Sequence, residues 1–171
     1  LGARIKWNPS VKYESDRLAL IQALKDGKID VVATDHAPHA WEEKCAPYPK
    51  CPSGAPMVQH SLQVMIELAK RGYFGIEDIV KWMSHNPARL YKIDRRGFIR
   101  KGYFADLVLV DLNANYTITQ DNILYKCKWS PLEGYTLNSK IVSTFVNGKT
   151  VFDNGKIIEG NKSSMKLKFN R

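Results

Sequence analysis

Hydrophobic and polar positions follow two different rhythms along these 171 residues. Ala3-Arg4-Ile5-Lys6-Trp7 alternates with a period of two and predicts a short strand, which the turn signal Asn8-Pro9 ends. Ser15 is placed to cap a helix whose apolar face is Leu18, Ile21 and Leu24, with Gly27 closing it. Ile29 to Thr34 is a short, nearly continuous apolar run. That is the pattern of a parallel strand buried on both faces, and it leads straight into Asp35. Between Ala40 and Ala55, prolines, cysteines and a glycine break the periodicity and predict a long loop. Leu62, Val64, Met65, Ile66 and Leu68 then crowd into a helix with Gly72 behind it. A shorter helix covers Ile76 to Met83, and Asn86-Pro87 opens a further helical turn.

From about Ile93 the rhythm changes. Short β runs take over at Asp106 to Val110, Ile141 to Val146, Val151 to Phe152 and Lys156 to Ile158. Asn147-Gly148 and Asn154-Gly155 separate the last three, and Asn-Gly between alternating segments is the strongest short hairpin signal. The tail from Met165 to Phe169 alternates apolar and basic residues, as in a strand with one wet face. The first half therefore reads βαβα and the second antiparallel β, with a boundary near residue 93.

Composition narrows the function classes. Hydrophobic residues make up 44% and charged residues 25%, ordinary for a soluble globular protein. No apolar run approaches the roughly 20 residues that span a bilayer, and Leu1 to Arg4 lacks the pattern of a signal peptide. The net charge of +9 favours an anionic partner. Nucleic acid is disfavoured, because the basic residues are scattered and no stretch interleaves them with aromatics in a binding motif. Their densest group, Arg95-Arg96 with Arg100-Lys101, reads as a solvated turn. Three cysteines are too few for a disulfide scaffold and fit a reducing cytoplasm. Cys45 and Cys51 are spaced too widely for a zinc knuckle and read as free thiols.

The chemistry centres on Asp35-His36-Ala37-Pro38-His39, at the C-terminal end of the apolar run and before the long loop. In α/β barrels, catalytic residues occupy that position. An aspartate there can ligate a metal and carry a proton. Alone, an Asp-His pair after a strand is equally the chemistry of an Asx turn. Around it, Ala33-Thr34-Asp35-His36-Ala37-Pro38-His39 followed by Lys44 resembles a signature of the dihydroorotases. Asn8-Pro9, Asp16-Arg17 and Gly27-Lys28-Ile29-Asp30 resemble the stretch that precedes it in that family. His85-Asn86-Pro87-Ala88-Arg89, Gly102 with Ala105 to Val110, Ser130-Pro131 and Val146-Asn147-Gly148 resemble the helix and β domain that follow. Two departures stand out. Ser10 follows Asn8-Pro9 where the family has a second proline, and Lys12 stands where it has an arginine. Lysine keeps the charge but loses the bidentate fork.

The resemblance implies an α/β fold: the C-terminal part of a (β/α)8 metal-dependent hydrolase barrel plus a small antiparallel β-sandwich. Residues 1–92 would be the last two strand-helix units and 93–171 the sandwich. It implies reversible hydrolysis of the cyclic amide of L-dihydroorotate to N-carbamoyl-L-aspartate, a step of pyrimidine biosynthesis, in a cytoplasmic enzyme with two zinc ions. Asp35 would be a metal ligand and the proton shuttle. His39 and Asn8 would contact the anionic substrate, and the backbone of Gly54 would touch its ring. His36, His60 and His85 would be structural. One aspartate cannot hold zinc, which takes about three protein ligands in catalytic sites, and such a barrel needs about 250 residues. The chain is therefore expected to be the C-terminal portion of a longer protein, or to pair with another chain, and to be inactive alone; a homo-oligomer is left open. Two alternatives remain: a hydantoinase or allantoinase, and a non-catalytic homologue that scaffolds a transcarbamoylase.

Overall fold

The computed structural model describes residues 1–10, 12–160 and 162–170. Helices occupy the first half: α1 (Glu14–Lys25), α2 (Trp41–Lys44), α3 (Ser61–Lys70), α4 (Ile76–Val80) and α5 (Asn86–Leu90), with a π-helical turn, Lys81–His85, joining the last two. The second half contributes β1 (Leu107–Asp111), β2 (Tyr116–Thr117), β3 (Thr136–Leu137), β4 (Lys140–Val146), β5 (Lys149–Asp153) and β6 (Lys156–Ile157). β1-β4-β5-β6 form one antiparallel sheet, and β2 pairs with β3 in a second.

The helices of the central stretch stand where the apolar spacing puts them. α3 buries Met65 and Ile66 beside Ile21, Phe74, Ile79 and Trp82, with Phe74 and Trp82 edge to face at 5.0 Å. α1 begins two residues earlier than expected. Tyr13, not Ser15, is its N-cap, and its backbone N–H is satisfied by the Asp16 carboxylate at 3.0 Å. Of its expected apolar face, Ile21 is buried and Leu24 packs on the core, whereas Leu18 is exposed. The Asn147-Gly148 and Asn154-Gly155 turns have positive φ at both central residues, the type I′ geometry whose twist matches paired strands.

Three expected strands did not form as such. Gly2–Ile5 is a 3-10 turn, and among the described residues no strand pairs with it. Ile29 to Thr34 is irregular and only partly buried, with a single long-range backbone bond, Val32 N–H to the Trp82 carbonyl at 3.2 Å. A strand exists only by pairing, and within described residues 1–92 the sole β contact is one parallel bridge between His36 and Ala55. The tail keeps one bridge, Ile93 with Phe169.

The two halves are packed together. Val110 of β1 touches the helical core. Gln63 of α3 donates to the Ser139 carbonyl at 2.7 Å, and Lys70 donates to the carbonyls of Leu112 and Asn138. A second cluster, Ile118, Ile123, Tyr125 and Leu137, lies under β2 and β3. It brings the stretch 116–139 against the loop that follows Asp35.

Candidate active site

Asp35 ends the irregular run with φ +46°, a left-handed conformation that aspartate tolerates better than most residues but that still carries strain. Its side chain is exposed and has no hydrogen bond or ion pair among the described residues. The carboxylate is thus left open to solvent at the end of the run.

The following residues bind the chain to the loop from Cys51 to Val58. His36 accepts the N–H of Met57 at 3.1 Å through Nδ1, which places its proton on Nε2. Ala37 donates its N–H to the Ala55 carbonyl at 3.2 Å, and His39 Nε2 lies 3.0 Å from the Ser53 carbonyl. Nδ1 of His39 faces Glu43 at 3.7 Å. Gly54 has φ +113°, and a Cβ there would stand 2.5 Å from Cβ of Ala37 and 3.7 Å from the His39 ring. Only glycine allows the loop to lie this close to the segment carrying His39.

The N-terminal segment is tied to the same loop. Gly54 donates its N–H to the Lys6 carbonyl at 2.8 Å, and Lys6 Nζ reaches the carbonyls of Tyr48 and Cys51, each at 2.6 Å. Asn8, two residues on, is exposed at this edge. The structure thus packs the segment 36–39, which follows Asp35, against the loop at Gly54, and bonds that loop to Lys6, two residues before Asn8. Lys12 is exposed and bonds the Ser10 hydroxyl.

Sequence reasoning left several contributors unassigned. Lys44 is buried, with its ammonium 2.9 Å from both the Pro52 and Gly54 carbonyls. Burial holds its pKa below the ordinary lysine value; nearby Cys51 opposes this and the charge of Lys6 reinforces it. Trp129, from the second half of the chain, donates its indole N–H to the His39 carbonyl at 2.8 Å. Gln59 donates to the Tyr125 hydroxyl through its backbone and bonds Asn122 and Leu124 through its amide. Tyr125 in turn packs on His36 at 5.3 Å, and burial pushes its hydroxyl up to about 12. Lys44 belongs to the signature, but a lysine in a proline-rich loop carries no periodicity that marks it as buried.

The other two histidines make no hydrogen bond or ion pair with Asp35 among the described residues, although His60 shares the Tyr125 ring with His36. His60 directly precedes α3 rather than lying within it, is fully buried against Tyr125 and Tyr116, and has no hydrogen-bond partner on either ring nitrogen among the described residues. Burial holds its pKa down to about 4, so the ring is neutral near pH 7. His85 stacks on Phe98 at 4.3 Å, its pKa lowered by burial and by Arg89 and Arg100. A largely apolar cleft of about 530 Å³ between α3 and the larger sheet, lined by Leu62, Val108, Leu124, Ile141 and Phe152 with Tyr116 and Lys140, contains neither Asp35, His39, Asn8 nor Gly54.

Among the described residues no three His, Cys, Asp or Glu side chains converge as a metal site. Asp35 offers a single carboxylate where a catalytic zinc takes about three protein ligands. The described residues therefore do not fit a metal centre on their own.

The profile described as "Amidohydrolase family" matches residues 8–151. The chain belongs to the amidohydrolase family. It is similar to the amidohydrolases named dihydroorotase from Clostridium acetobutylicum, 38% identical over 153 residues, 89% of this chain and 36% of that protein. The dihydroorotase of Halobacterium salinarum is 40% identical over 153 residues, 90% of this chain and 36% of that protein. Among solved structures, an L-hydantoinase (dihydropyrimidinase) from Arthrobacter aurescens superposes with a TM-score of 0.84 at 27% identity, covering 92% of this chain and 36% of that one. A dihydropyrimidinase from Brevibacillus agri, at 24% identity and a TM-score of 0.82, covers 91% of this chain and 35% of that one, and shares the fold. The chain spans about a third of the length of the curated relatives it matches. The resemblance read from the Asp35 signature is thereby met at the level of family.

Proposed function

We propose that this chain carries the proton-shuttling carboxylate and the substrate loop of a dihydroorotase, an enzyme that interconverts L-dihydroorotate and N-carbamoyl-L-aspartate. The observation that carries the reading is Asp35, a free carboxylate on a strained backbone beside the bonded pair of His39 and the Ser53-Gly54 loop. The identity to proteins named dihydroorotase supports it, being higher than the identity to the hydantoinases of known structure.

In the hydrolytic direction a water attacks the ring carbonyl, and the ring C–N bond breaks as the tetrahedral intermediate collapses. Asp35 accepts the proton released by the water and returns it to the departing ring nitrogen. His39 and Asn8 hold the substrate, His39 at its carboxylate, and the backbone at Gly54 sets the ring against them. The anionic substrate suits a chain of net charge +9.

On this reading the zinc centre draws its other ligands from residues outside these 171, with Asp35 as one ligand. Residues 1–92 then contribute the last strand-helix units of a (β/α)8 barrel and 93–171 a β-sandwich domain. Ile29 to Thr34 and Ala3 to Trp7 become strands when partner strands lie beside them.

The test is turnover by the full-length protein. Hydrolysis of dihydroorotate, absent in Asp35→Asn, is expected. Turnover of hydantoin without turnover of dihydroorotate would establish a hydantoinase instead, and no turnover of either, with the fold intact, would favour a scaffold.

A further inference from the structure

The loop from Cys51 to Ala55 has no regular secondary structure, yet each of its five successive carbonyls has a donor. Cys51 takes the Lys6 ammonium, Pro52 the Lys44 ammonium, Ser53 the His39 ring, Gly54 again Lys44, and Ala55 the Ala37 N–H. Backbone groups in an irregular segment must find partners elsewhere, and here the partners come from Lys6 and from 37–44, the stretch that includes His39. Lys44 is distinct among them. It alone holds two of the carbonyls, the pair that brackets Ser53, and both lie at 2.9 Å.

Holding them with a lysine has a cost. Lys44 is 1% exposed, and among the described residues it has no carboxylate partner; the Trp129 ring lies 5.6 Å from Nζ, and Cys51 and the like-charged Lys6 are near. A buried ammonium without a counter-ion opposes folding. An aliphatic side chain of the same length would fill the space without that penalty, so packing does not account for the charge. What a lysine adds is a pair of charge-assisted bonds that fix the direction of the Gly54 carbonyl, and so the plane of the peptide that follows it.

We propose that Lys44 is the positioning residue of the substrate loop, orienting the Gly54 peptide against His39 so that the ring-binding backbone is set before substrate arrives. The proposal rests on the reading of Gly54 and His39 as substrate contacts. Lys44 touches neither substrate nor reacting atoms in it. It acts through the backbone it grips.

The decisive variant is Lys44→Met in the full-length protein, which keeps the length and apolar stem but removes the donors. Loss of the two bonds is expected to raise KM for dihydroorotate about tenfold or more, on the scale of hydrogen bonds to charged groups, with kcat changed by less than about threefold and the thermal midpoint held. Lys44→Gln, with a shorter donor, is expected to fall between the two, and it serves as the test should the Met variant fold poorly. Unchanged KM in a folded variant overturns the proposal, as does an equal fall of kcat with no change in KM. Hydrogen exchange at the Gly54 and Ala37 amides separates this from the substrate assignment. If the unmodified protein does not act on dihydroorotate, the assignment fails. Faster exchange at those amides in Lys44→Met still supports the positioning role, and unchanged exchange refutes it.

Discussion

Ile29 to Thr34 and the β4–β5 hairpin are built from similar β-branched and apolar residues, and only the hairpin is sheet. In the hairpin, Asn147-Gly148 brings Lys149–Asp153 back beside Lys140–Val146 within two residues, and β1 covers the other edge. Beside the run before Asp35 no strand lies among the described residues, and one long-range backbone bond, Val32 to Trp82, holds it; the segment after Asp35 and its loop are held by isolated long-range bonds that involve Lys6, His36, Lys44 and Trp129. The hairpin is a local structure, and changes to it should appear in stability. The Asp35 region is held from a distance and strained, and changes to it should appear in activity first.

The largest expected effect breaks the comparison at Asp35. Asparagine tolerates the same left-handed backbone, so Asp35→Asn should retain the fold while kcat of the full-length protein falls about 1,000-fold, the range of a lost general base. Steady-state kinetics alongside a thermal melt decide this; a variant that loses stability but not kcat refutes the division of roles.

Acid should strike next, at the packing behind the site. An unfolded histidine titrates at its ordinary value of 6.5, whereas burial holds His60 to about 4, so between those limits the unfolded state binds more protons. The stability associated with a neutral His60 is complete above pH 6.5 and declines as pH falls through that window, by about 3 kcal/mol near pH 4. Melts from pH 7 to 4 should show that slope in the natural protein and a shallower one in His60→Leu.

Gly54→Ala sharpens the comparison in the loop. Its Cβ meets Ala37 in a backbone region that alanine rarely adopts, so the loop must move off His39. The expected cost is about 2 kcal/mol of stability, with a raised KM. The same exchange at Gly148, where φ is +78° but the nearest heavy atom to a Cβ is 4.0 Å away, should cost about 1 kcal/mol and leave KM untouched. Denaturation curves for the two variants, read beside their KM values, separate the site loop from the hairpin.

Much of this was legible in the order of residues. The helices from Ser61 to Leu90 and the strands of the four-stranded sheet announce themselves through local periodicity and Asn-Gly turns; the short β2–β3 pair does not. The proposed site at Asp35 to His39 was legible because a compact signature carries it. Lys44, Trp129, Gln59 and Tyr125 gave no comparable signal. Each acts on backbone that is distant in sequence, and nothing local marks a lysine as buried or a tryptophan 90 residues away as the donor to His39.

By itself the sequence determined the family resemblance, the helical spacing and the hairpins, because these depend on contacts a few residues apart. The tertiary structure decided which apolar runs became strands, which lysine was drawn inside, and how the loop at Gly54 came to lie on His39. Those outcomes depend on partners far along the chain, where each interaction exists only once the fold has brought both sides together.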